Sequence, residues 1–190
     1  MIEGGINWQT LETDKETIKR YGEPAFVKGL AIGAGLEYIS PEPTKEEMNN
    51  FIKDKFSEEE IVYYKVAQQS LHYTNMQNKP SEEEFLQRRI DNDIKQFTDK
   101  YKTPEDIKVL HKKLFGTDFD LNDRNFFYEI ANPALFKSRF NELAREKDIL
   151  RDSKIVESIV EYWNKGYSVF VVYGSGHIII QEPALEKFLN

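Results

Sequence analysis

The sequence predicts an α/β fold, a small and mostly parallel sheet with covering helices and a large helical insertion. Three observations carry this. The run Gly166-Tyr167-Ser168-Val169-Phe170-Val171-Val172-Tyr173 is apolar, β-branched and of strand length, and it stops at Gly174-Ser175-Gly176-His177. A run apolar on both faces suits a strand inside a covered parallel sheet. Leu36-Glu37-Tyr38-Ile39 alternates like a short strand, and Met1-Ile2-Glu3-Gly4-Gly5 reads as the last residues of another. Finally, the stretch from Thr44 to about Gly116 carries helical signals only, which makes it an insertion within a single domain spanning 1–190.

Composition sets outer bounds. A chain of 190 residues suffices for one domain with a core and is short for two. Hydrophobic residues make up 39% and charged residues 31%, as in a polar globular protein. A net charge of −7 with no basic patch argues against a nucleic-acid partner. The absence of cysteine excludes disulfides, thiolate chemistry and zinc sites built on Cys. No apolar stretch reaches membrane-spanning length, and the first residues lack a signal-peptide pattern. As written the chain reads as soluble and cytoplasmic, with the compartment left open to an export signal upstream of Met1.

Taken in order, Glu12 to Tyr21 is helix-compatible and closes at Gly22, and Pro24 suits the first turn of a second helix running to about Ala34. After the 36–39 strand, Pro41 and Pro43 bracket Glu42 and hold it in extended backbone. That loop either positions a carboxylate or is only a turn. Thr44, Ser57 and Ser81 each stand three residues before a glutamate, the spacing of a capping box, and Thr103-Pro104 starts a further helix. The acidic clusters are thereby explained by caps and helix dipoles and need no metal.

Apolar spacing supports these helices. Leu86, Ile90, Ile94, Phe97 and Tyr101 form one stripe, Val62, Val66, Tyr73 and Met76 another, and Ile107, Leu110 and Leu114 a third. Asn122 caps a short segment ending at Asn132-Pro133, after which Leu135, Phe136, Phe140 and Leu143 face one way. Ile155, Val156, Ile159, Val160 and Trp163 make the cleanest stripe, closed by Gly166. Ile178 to Pro183 follows His177 as a separate segment before a terminal helix around Ala184–Leu189. Three strands are few for so many helices. Further strands are therefore expected upstream of Met1 or from a partner chain, since an uncovered sheet edge would also drive oligomerisation.

Of the three histidines, His72 and His111 lie within helical ladders and read as packed or surface residues. His177 differs, because the glycines at the end of the apolar run would aim it above the carboxyl edge of the sheet, where open α/β sheets bind ligands. No Gly-x-Ser-x-Gly elbow, no Gly-x-x-x-x-Gly-Lys loop and no pair of histidines four apart occurs.

The strand ending in Gly174-Ser175-Gly176-His177 resembles the C-terminal Gly-x-x-His motif of the Tiki/TraB-like superfamily, whose relatives include erythromycin esterase-like and ChaN-like haem-binding proteins. Arg151-Asp152 ahead of it is similar to the arginine–aspartate pair of that group. Ile2-Glu3-Gly4-Gly5 resembles its strand ending in glutamate, and Tyr21-Gly22-Glu23 and Pro41-Glu42-Pro43 its connecting region. The resemblance covers both ends of the chain and leaves the helical middle unaccounted for. It implies a hydrolase of ester or peptide bonds using a His/Glu-activated water, in some branches with a divalent metal such as Mn or Co. Glu3 would be the acidic base or ligand, His177 would orient water or polarise the carbonyl, and Arg151 would pair with a site carboxylate or the oxyanion. Glu3 and His177 are the positions for any metal, while Glu42, Asp152, Gly174, Ser175 and Gly176 would line the small-molecule or peptide substrate. The family's other histidine motif, expected on an earlier strand, is missing, which implies a truncated and inactive form. Two further expectations stand beside the hydrolase: a binding module of the same fold holding a small ligand such as haem, and a protein whose sheet a partner chain completes.

Overall fold

Helices form where the sequence places their signals, but the expected sheet does not. The computed structural model describes residues 1–2 and 14–189. Helix accounts for 66% of it and no strand or sheet is present among the described residues, so the chain is all-α and the α/β expectation is overturned. The three segments expected to pair do run alongside one another. Ile2 N–H donates to the Ile39 carbonyl and Val172 N–H to the Met1 carbonyl, each at 3.0 Å. One isolated parallel bridge joins Ile2 to Val172. A strand needs several consecutive paired residues, and a single bridge does not supply them. The run at 167–173 is therefore extended chain, with Phe170 73% exposed where a covered strand would have buried it. A site at a sheet's carboxyl edge, and oligomerisation through an open sheet edge, fall with the sheet.

The chain divides into two units, Met1–Thr44 with Ile149–Asn190, and Lys45–Asp148. The first opens with α1 (Asp14–Tyr21) and α2 (Glu23–Gly33). Gly22 separates them at φ +78°, a left-handed conformation that suits glycine, and Pro24 sits in the first turn of α2. Segment 36–39 follows as extended chain rather than a strand.

The second unit contains α3 (Lys45–Lys53), α4 (Glu58–Tyr73), α5 (Glu82–Arg89), α6 (Pro104–Phe115) and α7 (Arg124–Ala131). Helix α4 is its centre and packs against α3, α5, α6 and α7. Its start is fixed by a complete capping box. Ser57 Oγ accepts from Glu60 N–H at 3.3 Å, and the Glu60 carboxylate accepts from Ser57 N–H at 2.8 Å. Thr103 and Asp106 form a second complete box at α6, one the glutamate-based pattern did not anticipate. At α5 only half a box forms, because Ser81 accepts from Glu84 N–H while the Glu84 carboxylate turns to Arg88.

Leu86, Ile90 and Ile94 are fully buried as their spacing predicts. The helix nevertheless widens at Ile90–Ile94 into a π-turn, closed by Lys95 N–H to the Ile90 carbonyl at 2.9 Å. These residues join Val62, Tyr63 and Val66 of α4, Ile107, Phe127 and Leu143 in one core. Burial of each such side chain contributes roughly 1.5–3 kcal/mol against exposure.

Two local expectations shift. Asp123, not Asn122, caps α7, accepting from Phe126 N–H at 3.0 Å. Phe136 is 81% exposed, because α8 (Arg139–Asn164) begins three residues later and leaves only Phe140 and Leu143 facing the core. The entry to α8 is held by Asn141, which is fully buried. Its Oδ1 accepts from the Lys137 and Ser138 amides at 3.2 and 3.1 Å. Its Nδ2 donates to the Glu129 and Asn132 carbonyls at 2.6 and 2.9 Å, so one side chain ties the end of α7 to the start of α8.

Helix α8 runs for 26 residues, and the division between the units falls within it. Ile155, Val156 and Ile159 are buried as predicted, and the helix closes at Gly166, φ +84°. The last helix, α9 (Ser175–Leu189), replaces both the expected turn after a strand and the separate segment from Ile178 to Pro183. Among the described residues no helix is long and apolar enough to cross a membrane.

Candidate functional site

Both residues of the Arg151-Asp152 pair lie on α8 in the first unit, and successive helical residues point about 100° apart. They therefore serve different partners. Arg151 donates from one terminal nitrogen to Glu42 Oε1 at 2.7 Å, with both side chains about three-quarters buried. Prolines 41 and 43 on either side of Glu42 fix the backbone that presents it.

Asp152 is 6% exposed, and its Oδ1 accepts two hydrogen bonds. His177 Nδ1 lies 2.8 Å away and Gln181 Nε2 2.7 Å away. Gly174-Ser175-Gly176 delivers the histidine by opening α9. His177 N–H already donates to the Gly174 carbonyl at 3.0 Å, so His177 sits in the first turn. One turn on, Gln181 falls on the same face. The Tyr173 ring meets the imidazole edge-on, with centroids 5.9 Å apart and planes at 67°.

An ionised carboxylate only accepts hydrogen bonds, so both neighbours must present N–H to it. For a neutral imidazole this selects the Nδ1–H tautomer and leaves the lone pair on Nε2. The arrangement is a carboxylate-oriented imidazole, a geometry that serves general bases and metal-ligating histidines alike.

Thus His177 and Asp152 come together, and Arg151 and Glu42 come together in a separate pair. Gly174 and Gly176 are exposed at the start of α9, and Ser175 is its first residue. Glu3 lies outside the described residues. Gln181 and Tyr173 were not anticipated as members of the site. The four-residue spacing of His177 and Gln181 would have revealed the first of them, but Ile178 to Pro183 reads as a separate segment ahead of the terminal helix.

The first unit also holds a mostly apolar cavity of about 350 Å³, lined by Ile2, Val27, Ala31, Leu36, Tyr162, Tyr167 and Phe170 among others. The other histidines belong to the second unit. His72 is exposed on α4, and His111 is packed in the core of the second unit. Among the described residues no group of three or more His, Asp or Glu side chains is disposed to hold a metal ion. No protein-family model, curated protein or solved structure matches the chain.

Proposed function

We propose that the first unit carries a hydrolytic site for ester or peptide bonds, in which His177 is the general base and Asp152 orients it. The single observation behind this is the 2.8 Å contact between His177 Nδ1 and a buried carboxylate. In the step proposed, Nε2 removes a proton from water as the water oxygen bonds to the carbonyl carbon. The tetrahedral intermediate then expels an alkoxide or amine, which takes the proton back from Nε2–H. The amides of the first turn of α9 favour negative charge nearby, which supports an oxyanion forming on this side of the imidazole. Glu3 keeps the acidic role that the Tiki/TraB-like resemblance implies for it, as part of the same proposal. No step is routed through a metal.

The test is hydrolysis of p-nitrophenyl esters and a fluorogenic peptide by the full chain, with and without Mn²⁺ or Co²⁺. His177→Ala is expected to lower kcat/KM by about 10²-fold or more, the usual weight of a general base. An unchanged rate would remove His177 from the mechanism. The same carboxylate-held imidazole also suits a haem ligand. A Soret band on haem titration, lost in His177→Ala and unaccompanied by hydrolysis, would replace the enzyme with a binding module.

A further inference from the structure

The Asp152 oxygen that meets His177 meets a second donor from the same helix. Gln181 Nε2 lies 2.7 Å from it, and Gln181 is 5% exposed beside an Asp152 that is 6% exposed. A long amide is a poor choice for filling such a place. Leu or Met would pack equally well, and an unpaired buried amide is destabilising. Its use is found in the carboxylate. The torsion that turns an Asp carboxylate is broad and roughly two-fold, so one hydrogen bond to a ring nitrogen leaves the plane of the carboxylate loosely set. A second donor at a fixed offset of one helical turn removes that freedom.

We propose that Gln181 is a positioning residue that locks the Asp152 carboxylate, so that His177 is held as the Nδ1–H tautomer. What Nε2 then does rests on the hydrolase reading above; the lock itself does not. Gln181 touches no reacting atom and acts only through Asp152.

The experiment reads the imidazole directly. In the full chain, labelled with ¹⁵N and held at alkaline pH where imidazoles are neutral, long-range ¹H–¹⁵N correlations distinguish the two tautomers. The wild type is expected to show His177 as Nδ1–H alone. Gln181→Met keeps length and volume and removes the donor, and is expected to give a mixture of tautomers. It should also lower kcat by about 10- to 100-fold with KM little changed, the range known for outer partners of oriented histidines. A folded Gln181→Met protein with an unaltered Nδ1–H signal would overturn the lock. Should that variant fail to fold, the wild type decides. Gln181 side-chain amide protons held by the carboxylate exchange slowly with water, and rapid exchange would overturn the proposal. The two readings fail separately. A tautomer shift in a protein without hydrolysis keeps the lock and removes the enzyme, whereas hydrolysis with an unshifted tautomer does the reverse.

Discussion

Tyr63 and His111 share a 2.6 Å hydrogen bond inside the unit Lys45–Asp148, with both side chains buried in its core. Burial pushes the Tyr63 pKa well above the ordinary phenol range, so the hydroxyl keeps its proton. The other ring nitrogen, Nε2, lies 3.0 Å from Thr117 Oγ1. Both ring nitrogens of His111 thus meet hydroxyl groups, whereas His177 Nδ1 meets a carboxylate. Phe115, Phe119 and Phe126 surround the His111 ring and leave little room for another arrangement.

The burial of His111 makes the stability of the unit depend on pH. Burial lowers the His111 pKa, with the Asp118 carboxylate pulling weakly the other way. A lowered folded value means that the unfolded chain takes up the proton first as the pH falls. The contribution is complete above the unfolded value of about 6.5 and is lost as the pH drops from there through the folded value. Urea midpoints are expected to fall as the buffer is taken from about pH 7 to about pH 5, the span below the free imidazole value. In His111→Gln that part of the slope should flatten. An identical slope in both proteins would assign it to other groups.

Asn141 offers a larger effect. Its replacement by alanine leaves two amides at the entry to α8 and three carbonyls at the end of α7 without their side-chain partner. A loss of about 3 kcal/mol is expected by chemical denaturation, near the top of the range for buried polar groups. A loss below about 1 kcal/mol would mean that water replaces those bonds without cost.

The helix starts grade the capping contributions. Ser57→Ala and Thr103→Ala each remove a complete box and should cost about 1 kcal/mol. Ser81→Ala removes half of one and should cost less. Thermal unfolding of the three variants side by side gives the order, and a Ser81 effect equal to the others would contradict it.

The Arg151–Glu42 pair is partly screened by solvent, with side-chain exposures of 26% and 22%. A double-mutant cycle of Arg151→Met with Glu42→Gln is expected to give a coupling energy of no more than about 1 kcal/mol. Stronger coupling would mark the pair as a structural tie in its own right.

Much of this architecture was legible because helices announce themselves locally. Caps at Ser57 and Thr103, stop signals at Gly22 and Gly166, and the ladder Leu86–Ile90–Ile94 all follow from spacings within a few residues. The sheet was misread because an apolar, β-branched run states only that a segment can extend. Whether it becomes a strand depends on neighbours far away in sequence, and among the described residues a single bridge at Val172 is all that forms. His177 and Asp152 were both picked out, but as a sheet-edge turn residue and a residue lining the substrate. Their direct contact across a separation of 25 positions has no local signature. Gln181 was missed for a narrower reason: Pro183 looked like the boundary of a helix that in fact runs through it.

That proline divides α9 into unequal lengths of cooperative structure. Pro183 has no amide hydrogen, so the Ile179 carbonyl loses its usual donor and unwinding that begins beyond the break does not spread back through an unbroken ladder. The turns before it, residues 175–182, are too short to persist alone in water. Their tether is Asp152, which holds the first of them through His177 and the next through Gln181. The lifetime of the aimed histidine is thus set by a local opening equilibrium. Fluctuations past Pro183 leave it untouched, and any that release Asp152 dissolve the aim and the helix start in one event.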